Sequence, residues 1–91
     1  MLTLLWSEKA LEELDDLTAY IGERNQLAAD NLLERIEFCA ERLTAFPYMH
    51  RSGRVPGTRE AVVNPNYVLV YRVTADTVEV LNVLHTRQQY P

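Results

Sequence analysis

The feature that most constrains the fold of this chain is a change of hydrophobic period at Pro47. Before Pro47, one stripe of apolar residues repeats at alternating intervals of three and four, as on one face of an α-helix. Pro47 ends this stripe because proline lacks a backbone N–H and restricts the residue before it. After it, residues 67–73 are rich in β-branched and aromatic side chains, which favours a strand. The residues of the helical stripe are Ala29, Leu32, Ile36, Cys39 and Leu43.

The first half therefore predicts helices after a short strand. Residues 2–6 are an apolar run of strand length, and Ser7 can cap a helix that starts behind it. Apolar residues at helical spacing run from 10 to 21, and Asn25 can cap the second helix. Because only two to four residues join the two helices, we expect an antiparallel helical hairpin.

The second half predicts strands at residues 59–63, 67–73 and 78–84, after a loop that contains two prolines and two glycines at residues 47–58. The element order is β-α-α-β-β-β. We therefore expect an α+β fold in which the helical hairpin packs on one face of an antiparallel sheet. The 91 residues suffice for a single domain, residues 1–91.

Several classes of protein are disfavoured by what the sequence contains. No apolar run approaches the roughly 20 residues of a membrane helix, and the N-terminus lacks the basic region of a signal peptide. We therefore expect a cytoplasmic protein without a membrane partner. Cys39, His50 and His85 are isolated, without the spacing of zinc ligands, and no glycine-rich phosphate loop is present. We expect neither a metal nor a cofactor.

The charge is divided between the two halves. Residues 1–45 hold ten acidic and four basic side chains, a net charge of −6. Residues 46–91 hold three acidic side chains and five arginines, a net charge of +2. Two surfaces with different partners are indicated, and the arginine-rich surface could bind phosphate, nucleic acid or an acidic peptide.

The strand at residues 67–73 adds a second hint of a partner. Alternation places Val68, Val70 and Arg72 on one side of the sheet. Two helices can cover only the other side, so we expect a bare apolar face with an arginine at its margin. Such a patch on a small protein usually marks a binding surface. The alternative is that the loop at residues 47–58 folds over it.

The residues with functional chemistry are concentrated in the second half. Arginines can clamp phosphates, a histidine can carry protons and a tyrosine can stack on a base. Structural roles are open as well: Arg72 could pair with Glu79, Arg59 could cap a strand, and His85 could end the last one. The candidate residues are Arg59, Arg72, His85, Arg87 and Tyr90.

Five segments in this order resemble the ParE/RelE superfamily of type II toxin–antitoxin toxins, and the ParE branch most closely. They cover nearly the whole chain and follow an early Trp-Ser pair. They are "ALEELDDLTAYI", "AADNLLERIEFCAERLTAFP", "GRVPGTREAVV", "NYVLVYRV" and "VLHTRQQYP".

The resemblance implies a toxin that a separate antitoxin neutralises, by adding a helix or strand of its flexible segment to the toxin's exposed grooves. It implies an assembly such as a heterotetramer, with Val68 and Val70 as the contacts predicted from the bare face. ParE-type toxins poison DNA gyrase and block replication. RelE-type toxins enter the ribosome and cut mRNA, a reaction for which His85, Arg87 and Tyr90 would be the catalytic set here.

Three features favour the gyrase branch. RelE-like nucleases resembling this chain carry an arginine at the second position of the central strand, where Val68 stands. Lys9 is the only lysine, and the net charge of −4 suits a ribosomal RNA cleft poorly. We therefore expect a gyrase inhibitor with Arg59, Arg72, His85, Arg87 and Tyr90 as its toxicity surface. A ribosome-dependent mRNA endonuclease and a degenerate antitoxin-binding member are the alternatives.

Overall fold

The computed structural model describes residues 1–88. Two helices and five strands follow one another in the predicted order, with one additional short strand in the region predicted to be a loop. In chain order they are β1 (Thr3–Trp6), α1 (Glu8–Arg24), α2 (Gln26–Ala45), β2 (Arg51–Ser52), β3 (Arg59–Asn64), β4 (Tyr67–Val73) and β5 (Thr77–His85).

The helical hairpin is defined by caps that the sequence contains. The Ser7 hydroxyl accepts a hydrogen bond from the Ala10 backbone N–H at 3.0 Å and thereby caps α1. Asn25 ends α1 and also caps α2, where its side-chain oxygen accepts from the Ala28 N–H at 3.0 Å. Because one extended residue joins the helices, they fold back on each other at once. Phe46 follows the last turn of α2, and Pro47 prevents its continuation.

The sheet has the strand order β1-β5-β4-β3-β2. The pairs β3–β4 and β4–β5 are antiparallel, as predicted, and so is the pair that β3 forms with the additional strand β2. β1 pairs in parallel with β5, so the sheet is mixed rather than wholly antiparallel. The parallel pair follows from the helical hairpin, because its two antiparallel helices return the chain to the sheet and the next strands meander back towards β1.

The helices cover one face of the sheet and form the main core with it. Ile36, Ala40 and Leu43 of α2 are fully buried against the sheet, as are Leu69 and Tyr71 of β4. The predicted helical stripe therefore faces the core, with Cys39 half-buried at its margin. No helix in residues 1–88 is long and apolar enough to cross a membrane.

The N-terminal part of α1 continues the hydrogen bonding along the edge of β5 after β1 ends. The Ser7 N–H donates to the Val80 carbonyl at 2.9 Å, and the Ser7 hydroxyl donates to the Leu81 carbonyl at 3.1 Å. Glu13 then accepts from the Val83 backbone N–H at 3.2 Å and from the Asn82 side chain at 3.1 Å. Two helix side chains thus satisfy an exposed strand edge beside a bulge in β5.

The opposite face of the sheet corrects one expectation. Val68, Val70 and Leu84 are only 5, 2 and 5% exposed, and they form a small apolar cluster of their own. The expectation of a bare apolar face is therefore wrong at Val68 and Val70. Both lie in β4, which has a neighbouring strand on each side. Val70 pairs with Glu60 of β3, which in turn pairs with Arg51 of β2. The case for Val68 and Val70 as antitoxin contacts had depended on their exposure.

Candidate interaction surfaces

His85 ends β5 beside a cleft of about 360 Å³ between α1 and the end of the sheet, here called the His85 cleft. Its ring meets the Tyr67 ring edge-on, with centroids 5.2 Å apart. The backbone N–H of Arg87 donates to His85 Nδ1 at 3.1 Å, and the His85 N–H donates to the Gln88 side chain at 2.6 Å. Because Nδ1 accepts a hydrogen bond, the proton of the neutral ring lies on Nε2.

The His85 cleft differs in charge from what a phosphate site requires. Glu13, Asp16 and Tyr20 of α1 form its other wall. Two carboxylates in the same cleft can orient an imidazole, but they repel a phosphodiester. The predicted cation of this region, Arg87, is exposed in the turn that follows β5.

Arg59 holds a segment of the chain in place. Its guanidinium donates to the carbonyl of His50 at 2.8 Å and lies 5.1 Å from the centre of the Tyr48 ring. In the register, Arg59 is paired with Tyr71, whose hydroxyl donates to the Pro47 carbonyl at 2.6 Å. Arg59 and Tyr71 together fix the turn between α2 and β2.

Arg72 lies on the opposite face of the sheet and is paired. Its Nη2 and Nε atoms lie 2.7 and 2.8 Å from one carboxylate oxygen of Glu79, its register partner on β5. The structural alternative that the sequence offered for Arg72 is therefore present, although half of the side chain still faces solvent.

The structure does not bring the predicted site residues together. Arg59 and Arg72 occupy neighbouring positions of the paired strands but opposite faces, and His85 pairs with Tyr67 at the other end of β4. Four residues of β4 lie between Tyr67 and Arg72, so the two positions are about 16 Å apart along an extended strand. Tyr90 lies outside the described residues. In residues 1–88, no three histidine, cysteine or acidic side chains are grouped as a metal site would need.

The sequence reasoning missed a groove of about 300 Å³ between α2 and β3, here called the α2–β3 groove. Its rim consists of large apolar side chains that remain more than half exposed: Phe38 at 63%, Phe46 at 51%, Met49 at 61% and Val62 at 51%. Its lining residues are Arg35, Phe38, Cys39, Arg42, Phe46, Met49, His50, Val62 and Val63.

Arg42 is central to the α2–β3 groove. Its guanidinium lies 5.9 Å from the centre of the Phe38 ring and 5.7 Å from that of Phe46, four residues away on either side. That i, i+4 spacing of aromatic, arginine and aromatic residues is a signal that the sequence contained. It was concealed because Phe46 also continues the apolar stripe of α2.

Two titratable groups of the groove respond to this setting. Burial raises the pKa of the Cys39 thiol, and the charge of Arg42 opposes that rise. Burial, and then the charges of Arg42 and Arg59, lowers the pKa of His50. Burial likewise raises the pKa of Tyr71, behind His50, to about 12. The groove is therefore a positively charged place with an apolar floor, in which the histidine favours its neutral form.

Comparisons with known proteins agree on one family. Residues 4–90 match the family described as ParE toxin of type II toxin–antitoxin system, parDE. The toxin-named protein Y4kP of Sinorhizobium fredii is 38% identical over 87 residues, which cover 94% of this chain and 90% of that protein. Toxin RelE2 of Caulobacter vibrioides is 32% identical over 85 residues, which cover 93% and 96%.

A solved structure extends the comparison to the fold. The chromosomal ParDE toxin–antitoxin system of P. aeruginosa contains a chain that superposes with a TM-score of 0.82. The match covers 93% of this chain and 96% of that one at 21% identity, so it concerns the fold alone. Both the hairpin of helices and the sheet are shared.

Proposed function

This chain belongs to the ParE toxin family of type II toxin–antitoxin systems, and from that membership we propose that it arrests growth by inhibiting DNA gyrase. In this proposal a cognate antitoxin neutralises it in the cytoplasm. The toxin acts by binding rather than by turnover. The description of its family places the toxin in a type II toxin–antitoxin system, which supports an antitoxin as its partner.

The observation that carries the proposal is the dispersal of the basic residues. A nuclease needs its base, its acid and its phosphate-binding cation within a few ångströms of one phosphodiester. Here Arg59 supports the Pro47 turn, Arg72 is paired with Glu79 on the other face, and His85 adjoins two carboxylates. A dispersed set of cations suits contact with a large protein better than one catalytic centre.

The burial of Val68 supports the same choice. Where the resemblance to RelE-like nucleases expects an arginine, this chain has a valine that is 5% exposed and packed with Val70 and Leu84. A guanidinium could not occupy this position without losing its water. The side chain at position 68 therefore contributes to packing.

A ribosome-dependent mRNA endonuclease is the second candidate. The observation that favours it is that an imidazole with a fixed tautomer and a tyrosine ring border one cavity, although the two carboxylates of that cavity oppose a phosphate. The relative from Caulobacter also carries the name RelE2. A degenerate member that only binds its antitoxin would have neither activity.

Two assays with the purified chain separate these candidates. We expect inhibition of gyrase supercoiling, with accumulation of cleaved gyrase–DNA complexes, and no new mRNA ends in a translating ribosome extract. Position-specific mRNA cuts would replace the proposal with the endonuclease. Failure in both assays, together with harmless expression of folded protein, would indicate a degenerate toxin.

The contribution of the C-terminal turn can be measured by a double variant, His85→Ala with Arg87→Ala. We expect growth arrest to weaken while the thermal midpoint and antitoxin binding stay near those of the wild type, because both side chains are at least partly exposed. Lys9→Ala, which removes an exposed cation from α1, is the control. Undiminished arrest by the double variant would remove this turn from the toxicity surface.

A further inference from the structure

The α2–β3 groove has the composition of a protein-binding site. Aromatic residues, methionine and arginine are the types that are enriched at the centres of protein interfaces. Phe38, Phe46, Met49 and Val62 come from a helix, the turn after it and a strand, yet they border one groove and all stay more than half exposed. A patch of this kind on a small protein is rarely left without a partner.

The charge of the groove selects an acidic partner. Arg35 and Arg42 line it, and no carboxylate does. The two ion pairs within residues 1–88 are Arg51–Glu60 and Arg72–Glu79, so neither groove arginine is neutralised by an acid of the described part of the chain. The acidic residues of α2, among them Glu34 and Glu37, are exposed outside the groove.

A polypeptide fits these features better than a nucleic acid does. Phe38 and Phe46 could stack on bases, but their rings already flank the Arg42 guanidinium. Met49 and Val62 offer aliphatic surface instead of a stacking plane.

We propose that the α2–β3 groove binds an acidic segment of the antitoxin, with apolar side chains between Phe38, Phe46 and Met49 and carboxylates on Arg35 and Arg42. The inference rests on the proposed function, which supplies the antitoxin. It replaces the buried Val68 and Val70 as the point of contact. It also gives the acidic segment a second role, since the carboxylates remove the positive charge that Arg42 places beside His50.

The test compares two arginines in matched positions. Arg42 lies in the last turn of α2 over phenylalanine rings, and Arg24 lies in the last turn of α1 with its guanidinium 4.9 Å from the centre of the Tyr20 ring. Arg42→Glu and Arg24→Glu therefore change the charge and the helix terminus alike. Binding of the full-length variants to the purified cognate antitoxin is measured by calorimetry at two salt concentrations.

We expect Arg42→Glu to raise the Kd by about 30-fold or more, as at an interface hot spot, and Arg24→Glu to leave it within about twofold. Phe38→Ala, at an exposed site, should raise the Kd about tenfold. This variant still tests the proposal if the charge reversal at Arg42 unfolds the chain. Wild-type affinity should fall with added salt.

The possible outcomes separate the groove from the function. Unchanged affinity of both Arg42→Glu and Phe38→Ala would overturn the groove proposal and leave the toxin assignment intact. Absence of binding by the wild-type chain would instead contradict the antitoxin partnership itself. Two other outcomes would also replace the antitoxin as the occupant of the groove. One is that the toxin dimerises by itself and Arg42→Glu abolishes the dimer; the other is that a single-stranded oligonucleotide binds tightly to the groove.

Discussion

The face of the sheet that α1 and α2 cover and the face that they leave open both bury apolar side chains, but with different neighbours. On the covered face, Leu69 and Tyr71 meet Ile36 and Leu43 of α2, all with no exposed surface. On the open face, the Val68, Val70 and Leu84 cluster has no helix above it. The ion pairs Arg51–Glu60 and Arg72–Glu79 lie on strands at its margin.

The comparison teaches that a sheet face without a helical layer can still hide its apolar residues. β-branched side chains on adjacent strands bury one another, and charged side chains at the margin complete the cover. Glu60, opposite Val70 in the register, is itself only 8% exposed, and it accepts a hydrogen bond from Arg51 at 2.9 Å. The exposed apolar side chains lie instead around the α2–β3 groove.

The largest effect should come from the covered face. Leu32→Ala removes a side chain of α2 that is 8% exposed and belongs to the main core, and it should lower the free energy of unfolding by about 2–5 kcal/mol. Leu27→Ala, on the same helix but 69% exposed, is the matched control and should cost well under 1 kcal/mol. Urea unfolding followed by circular dichroism measures both. Equal costs would mean that the wrong face of α2 has been assigned to the core.

Val70→Ala measures the open face. It deletes about two methyl groups from a site that is 2% exposed, so we expect a loss of about 1–3 kcal/mol. Val62→Ala on the neighbouring strand, at 51% exposure, should cost less than half of that. A loss at Val70 as large as that at Leu32 would show that the two faces are equally well packed, and no loss would show that the open cluster adds nothing.

Much of the covered face could be predicted from the sequence, because helix caps, stripe spacing and strand alternation are local signals. Ser7, Asn25 and Pro47 mark the helix ends as expected. The parallel pairing of β1 and the burial of Val68 depend on which strands become neighbours, and strand neighbours are set by the whole chain. The α2–β3 groove combines residues far apart in sequence, such as Phe38 and Val62, for the same reason.

Tyr71 provides a smaller test, since it links the covered face to the turn that borders the groove. Tyr71→Phe removes the hydrogen bond to the Pro47 carbonyl and should cost about 1 kcal/mol at pH 7. Burial raises the pKa of Tyr71 to about 12 from an unfolded value near 10, so the folded state holds the phenol proton more tightly. That contribution is complete below pH 10 and is lost as the pH rises from 10 through 12.

The alkaline limb therefore distinguishes the hydrogen bond from simple packing. In denaturant titrations between pH 8 and pH 11, the wild-type chain should lose stability more steeply than Tyr71→Phe, and the difference between them should shrink. Tyr48→Phe, at an exposed tyrosine, should follow the wild type. A difference that stays constant with pH would mean that the Tyr71 hydroxyl does not ionise at a raised pKa.

The smallest effect should be at the margin of the open face. Arg72→Ala breaks the pair with Glu79, but the arginine side chain is 55% exposed, so we expect a loss of at most about 1 kcal/mol, reduced further by salt. Measurement of unfolding in low and high salt separates the ionic part of that loss from the packing of the arginine stem. If the loss were several kcal/mol and salt did not change it, Arg72 would cover the apolar cluster by contact, and the cover of the open face would depend on the stem more than on the charge.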